Sequence, residues 1–267
     1  MKKKKEQAVS NTKIAIVFFA FLAFIVGLSL TFKIVGIIRQ GQFDSSKRFN
    51  LAITNGRNIE VVSLSGSAKT IVIFKLNRNI GSYEAGQFLE IPIDGFITSN
   101  SLDLNQKADS LFLKAIFSYK KAQTNLTIID LLKLLVFSKT VVSTSVNTKN
   151  ISADLSPSEL DKAVTRLVSD ELIEKDNQTI QIINGTDIGG LGNRLARLVT
   201  NMGGDVIIVA TSDSKKKISN ISYIGQKTYT VGRLQKVLGY PAVEENNNAI
   251  SDITITIGED KASSAPF

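Results

Sequence analysis

The chain has 267 residues, 43% of them apolar, a formal charge of +8, and neither cysteine nor histidine. That composition excludes disulfides, thiol and imidazole nucleophiles, His-based triads and ordinary zinc sites, so any chemistry must use Asp, Glu, Arg, Lys, Ser or Thr. Five lysines and one glutamate fall within the first thirteen residues, so half of the charge excess is a topology signal and the rest is a weak argument for a nucleic-acid partner.

Residues 1–13 form a basic tail carrying Lys2–Lys5 and Lys13. An uncharged apolar run follows from Ile14 to Phe32 and extends through Ile34 to Ile38 if Lys33 snorkels to the interface. Nineteen residues in a helix, at about 1.5 Å each, nearly span a bilayer core of roughly 30 Å. A cleaved signal peptide is the competing reading, but its apolar region is usually only about 7–15 residues and ends at a small-residue site. Here the run is longer and no Ala-x-Ala site follows. The pattern predicts a transmembrane anchor over 14–38, with the lysines in the cytoplasm and the rest of the chain extracytoplasmic. The anchor's partner is the lipid bilayer of the cell membrane.

Gln40 to Arg48 is polar and reads as a juxtamembrane linker. Three runs rich in Ile and Val come next, Phe49–Thr54, Ile59–Leu64 and Thr70–Leu76, separated by Asn55-Gly56 and Ser65-Gly66; these predict a strand meander. Ala108, Leu111, Phe112, Ala115, Ile116 and Tyr119 recur at helical spacing. Leu126 to Phe137 is apolar nearly all round apart from Asp130 and Lys133, which predicts a buried helix. Thr140–Val146 is β-branched and reads as a strand or extended segment. Residues 49–150 thus form a mixed α/β domain. Ser156-Pro-Ser-Glu159 supplies a cap, a first-turn proline and a capping box for a linking helix over 156–174, with Leu160, Val164, Leu167, Val168 and Leu172 on its apolar face.

The segment 177–260 has its own order of elements. The strand Ile180-Gln-Ile-Ile-Asn-Gly-Thr186 runs into the helix start Gly189-Gly-Leu-Gly-Asn-Arg-Leu-Ala-Arg197. Gly203-Gly-Asp-Val-Ile-Ile-Val209 follows, then a short strand at Ile218–Ile224, a helix with Val231, Leu234, Val237 and Leu238, and the closing stretch Asp252-Ile-Thr-Ile-Thr-Ile-Gly-Glu-Asp260. The order β-α-β-β-α-β predicts a small α/β sandwich, one sheet with both helices on one side. Leu191, Leu195, Leu198, Val199 and Met202 are its expected core face. Asn184-Gly185 is expected to supply positive φ at the turn. Gly190-Leu-Gly192 begins like a dinucleotide fingerprint, but Leu195 stands where the third glycine belongs, and a partial match is weak. Arg194 is expected on the exposed side of its helix. The tail 261–267 reads as disordered.

Those motifs resemble the C-terminal domain of LytR-CpsA-Psr cell-envelope proteins, in which a strand ends in Asn-Gly-Thr, the helix begins with Gly-Leu, and a final strand precedes Gly and an acid. The resemblance implies a cell-envelope address and a motif turn of Asn184, Gly185, Thr186, Gly190, Leu191 and Arg194, mainly structural in role. The middle region is similar to a degenerate copy of that family's catalytic domain. Phe49-Asn-Leu-Ala-Ile-Thr-Asn-Gly-Arg57, Val61-Val-Ser-Leu64, Ile71-Val-Ile-Phe-Lys-Leu-Asn-Arg-Asn79 and Ile91-Pro-Ile-Asp-Gly-Phe96 carry the likeness. The family transfers glycopolymers from a polyprenyl-pyrophosphate carrier to the wall, with arginines and acids holding pyrophosphate and a divalent cation. Here Arg57 and Arg78 are the remnants. Asn79 replaces the family's acid, the stretch Thr54–Arg57 has no acid, and the 49–168 region holds only three arginines, Arg57, Arg78 and Arg166.

The resulting expectation is a single-pass, non-catalytic envelope protein without cofactor or metal, binding or scaffolding wall glycopolymer or another envelope protein, and no nucleic acid. The alternative is a phosphotransferase that attaches carrier-borne glycopolymer to the wall. No helix-turn-helix with a basic recognition helix is visible, which weighs against a transcriptional regulator.

Overall fold

The computed structural model describes residues 2–76, 80–152, 157–245 and 250–263. It divides into two compact units, Met1–Gly41 and Gln42–Phe267. The first is the helix α1 (Lys2–Arg39), whose apolar stretch Ala15–Lys33 is exposed throughout and is long and apolar enough to cross a membrane.

The second unit contains two sheets. In the first, β1 (Phe49–Thr54), β2 (Ile59–Ser65) and β3 (Thr70–Leu76) form the antiparallel meander read from the sequence. β4 (Gly95–Thr98) runs parallel to β1, β5 (Gln123–Thr124) lies outside β4, and β6 (Val146–Ile151) runs parallel to β3. The spatial order is β5-β4-β1-β2-β3-β6. The three central strands are buried on both faces, which explains their unbroken apolar sequence.

Each face has its own core. Phe49, Leu51, Ile53, Val62, Leu64, Ile71 and Ile73 pack under α3 (Ala108–Phe117) and α4 (Ile128–Thr140). Ala52, Ile59, Val61, Val72, Phe74 and Leu76 pack under α2 (Ser82–Leu89) and α5 (Pro157–Val168). The result is a three-layer α/β/α arrangement. Phe43 also lies in the first core, with its ring edge-on to Phe49 and Phe137, and Arg48 is buried. The segment read as a polar linker is therefore docked, because its Phe and Arg find partners that a local composition reading does not show.

Several expectations change. The helix expected at Leu126–Phe137 begins at Ile128, capped by Thr127 and Asp130, and is not buried all round: Leu132 and Val136 are 46% and 63% exposed. Thr140–Val146 is not a strand; it ends α4, passes through a 3-10 turn at Ser143–Ser145 and enters β6 at its last residue. The single linking helix is two helices, α5 and α6 (Glu171–Asp176), with Asp170 capping the second; Ser156, its expected cap, lies outside the described residues.

The second sheet has the order β10-β9-β11-β7-β8. Its strands are β7 (Thr179–Asn184), β8 (Asp205–Thr211), β9 (Asn220–Tyr223), β10 (Ala242–Glu244) and β11 (Ile253–Ile257). The fold is the α/β sandwich expected, with β10 as an additional edge strand. Ile180, Ile182, Ile253, Ile255 and Ile257 face α7 (Leu191–Asn201) and α8 (Tyr229–Leu238), and Leu191, Leu195, Leu198, Val199 and Met202 are all buried there. Ile173 of α6 completes this core. Lys261 and Ala262, placed in a disordered tail by the sequence reading, belong to the short helix α9 (Glu259–Ala262); residues 264–267 lie outside the described residues.

Candidate functional site

The motif turn after β7 is structural. Asn184 is buried, its side-chain oxygen accepts from the backbone N–H and the hydroxyl of Thr186, and its amide donates to the Ile188 carbonyl at 2.9 Å. Gly190, at φ +84°, caps α7. Gly185 does not have positive φ. It is needed for close approach: a Cβ there would stand 2.5 Å from Lys216 Cγ and 2.9 Å from the Ile257 carbonyl oxygen. Nearby, Lys215 pairs with Asp187 and Glu259.

Arg194 is not free on an outer face. Its Nε lies 3.5 Å from Glu90 Oε1, and Arg197 Nη1 lies 3.3 Å from the same oxygen. Arg197 also grips Asp161 of α5 through two bonds of 2.9 and 3.0 Å. Burial pushes the Glu90 carboxyl above its ordinary range, although Arg194 and Arg197 pull the other way. Asn201 donates to the Glu90 carbonyl at 3.0 Å and so caps the open end of α2. Arg233 of α8 meets Asp94 through two bonds of 2.5 and 2.9 Å, with both side chains almost fully buried. Burial opposes the Arg233 charge, but the Asp94 carboxylate outweighs it and holds the guanidinium above its usual pKa. On the other flank Arg48 reaches Glu171 at 3.1 Å and the Leu167 carbonyl at 3.2 Å. Three arginines of the second sheet's helices, Arg194, Arg197 and Arg233, thus face carboxylates at the end of α2, in its following loop and on α5, elements that cover the first sheet. Charge-assisted hydrogen bonds therefore link the helices of the second sheet to elements covering the first.

A cavity of about 550 Å³ opens on the α3/α4 side of the first sheet. That volume is in the range of small-molecule sites. Ile71, Ile73, Leu104, Val141 and Val146 form an apolar floor, while Lys75, Lys107 and Lys139 supply cations. Glu60 lies within it, paired with Lys75 at 3.2 Å, and burial raises its pKa against that lysine. Lys75 also donates to Asn105 at 3.4 Å. The register explains the pair: Glu60 and Lys75 are cross-strand partners on the face shared with Val62 and Ile73. Arg57 is on the exposed β1–β2 turn, its N–H donating to Asn55 Oδ1 at 3.1 Å, and does not line the cavity. Arg78 lies outside the described residues.

The divalent cation implied by the resemblance does not fit these residues. Among the described residues no group of three or more Asp or Glu is placed to hold a metal, and the carboxylate buried in the cavity is already neutralised by Lys75. Sequence reasoning missed Glu60, Lys75, Glu90, Asp94, Asn201 and Arg233. Glu60 and Lys75 left a signal as lone charges in otherwise apolar strands, and Asp94 as the acid of the Ile91–Phe96 stretch.

Sheet order, helix placement and the long apolar helix define an α/β protein with two sheets and, among the described residues, one candidate membrane span. Residues 177–260 match the family described as LytR cell envelope-related transcriptional attenuator, so this segment is a LytR_C domain of a cell-envelope-related protein. No curated protein matches the chain. Among solved structures it is similar to the transcriptional regulator yvhJ from Bacillus subtilis, at 17% identity and TM-score 0.33, over 42% of this chain and 87% of that one. A protein from Listeria innocua is similar at 13% identity and TM-score 0.33, over 46% and 97%. B. subtilis TagV is similar at 15% identity and TM-score 0.28, over 43% and 89%.

Proposed function

We propose that the chain is a membrane-tethered, extracytoplasmic binding protein of the cell envelope. It holds an anionic wall glycopolymer, through that polymer's lipid-phosphate end, and does not transfer it. The observation that carries this reading is the cavity. An apolar floor with a lysine rim suits an amphiphile with a phosphate head, and of the two acids that line it, Glu60 and the half-buried Asp109, the buried Glu60 is already paired. Phosphoryl transfer relies on positioned cations and acids around the reacting group. Arg57 stands on an exposed turn away from the cavity, which favours binding over transfer. The basic tail at Lys2–Lys5 supports an inside N-terminus. The LytR_C domain then serves as a second module fixed to the first by its arginines, open to polymer or an envelope protein on its far side.

The test is a titration of the purified full chain with a polyprenyl phosphate. Replacing the rim residues in Lys107→Ala/Lys139→Ala should weaken Kd roughly tenfold, the equivalent of about 1.4 kcal/mol, and Arg57→Ala should leave it unchanged. Binding that ignores the rim lysines, or depends on Arg57 instead, would refute the cavity as the site.

A further inference from the structure

A second depression, of about 510 Å³, lies beside the β2–β3 turn. Ile129, Leu132, Lys133 and Val136 of α4 line it, with Lys69 of the turn and Ser45 of the segment that follows α1. Positions 129, 132, 133 and 136 recur at helical spacing and make one stripe. The opposite stripe of α4, Leu131, Leu134 and Phe137, is buried in the core. The helix is therefore apolar on two sides while only one is covered, with Val136 63% and Leu132 46% exposed.

What lies next to this stripe follows from the chain itself. Phe43 is pinned to α4: its N–H donates to Asp130 Oδ1 at 3.1 Å, and its ring packs edge-on to Phe137. Asp130 is the same residue that caps α4. Only residues 40–42 separate this anchor point from Arg39, the last residue of α1. Four residue steps reach at most about 14 Å. Phe43, bonded to the first turn of α4, is thus tied by a short tether to the end of an anchor at Arg39. The lysines that flank the stripe, Lys69 and Lys133, are exposed and match an anionic headgroup layer.

We propose that α4 rests on the outer surface of the membrane. Leu132 and Val136 enter the headgroup boundary, and Lys69 and Lys133 contact lipid phosphates. The proposal rests on α1 being an uncleaved anchor. Its consequence is a fixed, membrane-apposed orientation for the cavity-bearing module instead of a loose tether.

The chain has no cysteine, so single labels are simple to place. Full chain carrying Val136→Cys or, as control, Ile218→Cys is spin-labelled and reconstituted in phosphatidylglycerol nanodiscs; both sites are exposed, at 63% and 66%, so neither change disturbs a core. Collision with an aqueous nickel relaxant should fall about fivefold at 136 relative to 218, as for a side chain in the interface. Adding Lys69→Glu and Lys133→Glu should restore at least half of the collision rate. Equal accessibility at 136 and 218 in chain that co-elutes with discs overturns the docking while leaving the anchor standing. Chain that does not co-elute overturns the anchor and the docking with it. Shielding that appears only in native membranes, and not in lipid-only discs, overturns the bilayer as occupant. Shielding unaffected by the lysine changes overturns the phosphate contact.

Discussion

Replacing Arg233 with methionine tests how the elements around the two sheets are joined. The guanidinium and the Asp94 carboxylate are 8% and 4% exposed and share two hydrogen bonds. Without Arg233, Asp94 keeps the Asn50 N–H at 2.9 Å as its remaining side-chain bond, and its charge stays buried. Breaking such a pair from one side costs about 3–5 kcal/mol, a large share of a typical stability of about 5–15 kcal/mol. Removing both charges, in Arg233→Met with Asp94→Leu, should recover most of that loss, because an apolar pair has no stranded charge. Urea unfolding of residues 42–267, followed by circular dichroism, gives the three stabilities and the coupling between the two positions. A loss below about 1 kcal/mol for Arg233→Met, the range of solvated surface pairs, would refute the reasoning, and the layers would then be held by other contacts.

Three further outcomes follow. Gly185→Ala should cost roughly 1–3 kcal/mol, because its Cβ would meet Lys216 and the Ile257 carbonyl; a neutral result in thermal unfolding would show that the turn relaxes freely. Glu90→Gln should change stability in a pH-dependent way. Burial raises the Glu90 pKa from 4.5, so its contribution is present below the unfolded value and is lost as pH rises through the folded one. The variant should therefore be the more stable protein at neutral pH, with the difference closing near pH 4; a wild type that is more stable at pH 7 contradicts this. Residues 177–260 alone should fold poorly, since they lack Ile173 of the core and the Asp176 bonds to Thr230, whereas 169–263 should fold cooperatively. Equal cooperativity of the two segments by circular dichroism would contradict the assignment of α6 to the second core.

The three central strands of the first sheet, β1 to β3, were legible in the sequence almost to the residue, whereas β4, β5 and β6 were not. Burial on both faces leaves continuous Ile and Val runs, and Asn-Gly and Ser-Gly mark the turns between them. The LytR_C elements apart from β10 were legible for another reason: β7 and β11 alternate buried and half-buried residues, and Gly190 and the leucine face of α7 set the helix. What was not legible is long-range pairing of polar groups. Arg233 and Asp94 are 139 positions apart, and nothing in either neighbourhood shows that each is buried by the other. Arg194 looked like an outward residue because its partner, Glu90, sits in another module. The exposed stripe of α4 was hidden by its composition, since an apolar helix reads as buried whether one side or two are covered. Gly185 was read for the wrong cause: its sequence neighbour suggests a left-handed turn, but only the fold brings Lys216 and Ile257 against its α-carbon.

Binding without transfer is the centre of the account, and one assay addresses it directly. Full chain in nanodiscs is supplied with a glycan linked to polyprenyl pyrophosphate and with Mg²⁺, and both retention of the lipid and cleavage of the pyrophosphate bond are followed. The account predicts saturable retention, weakened in Lys107→Ala/Lys139→Ala, and no cleavage above protein-free discs. Mg²⁺-dependent cleavage that disappears in Arg78→Ala would contradict it and establish the chain as a transferase.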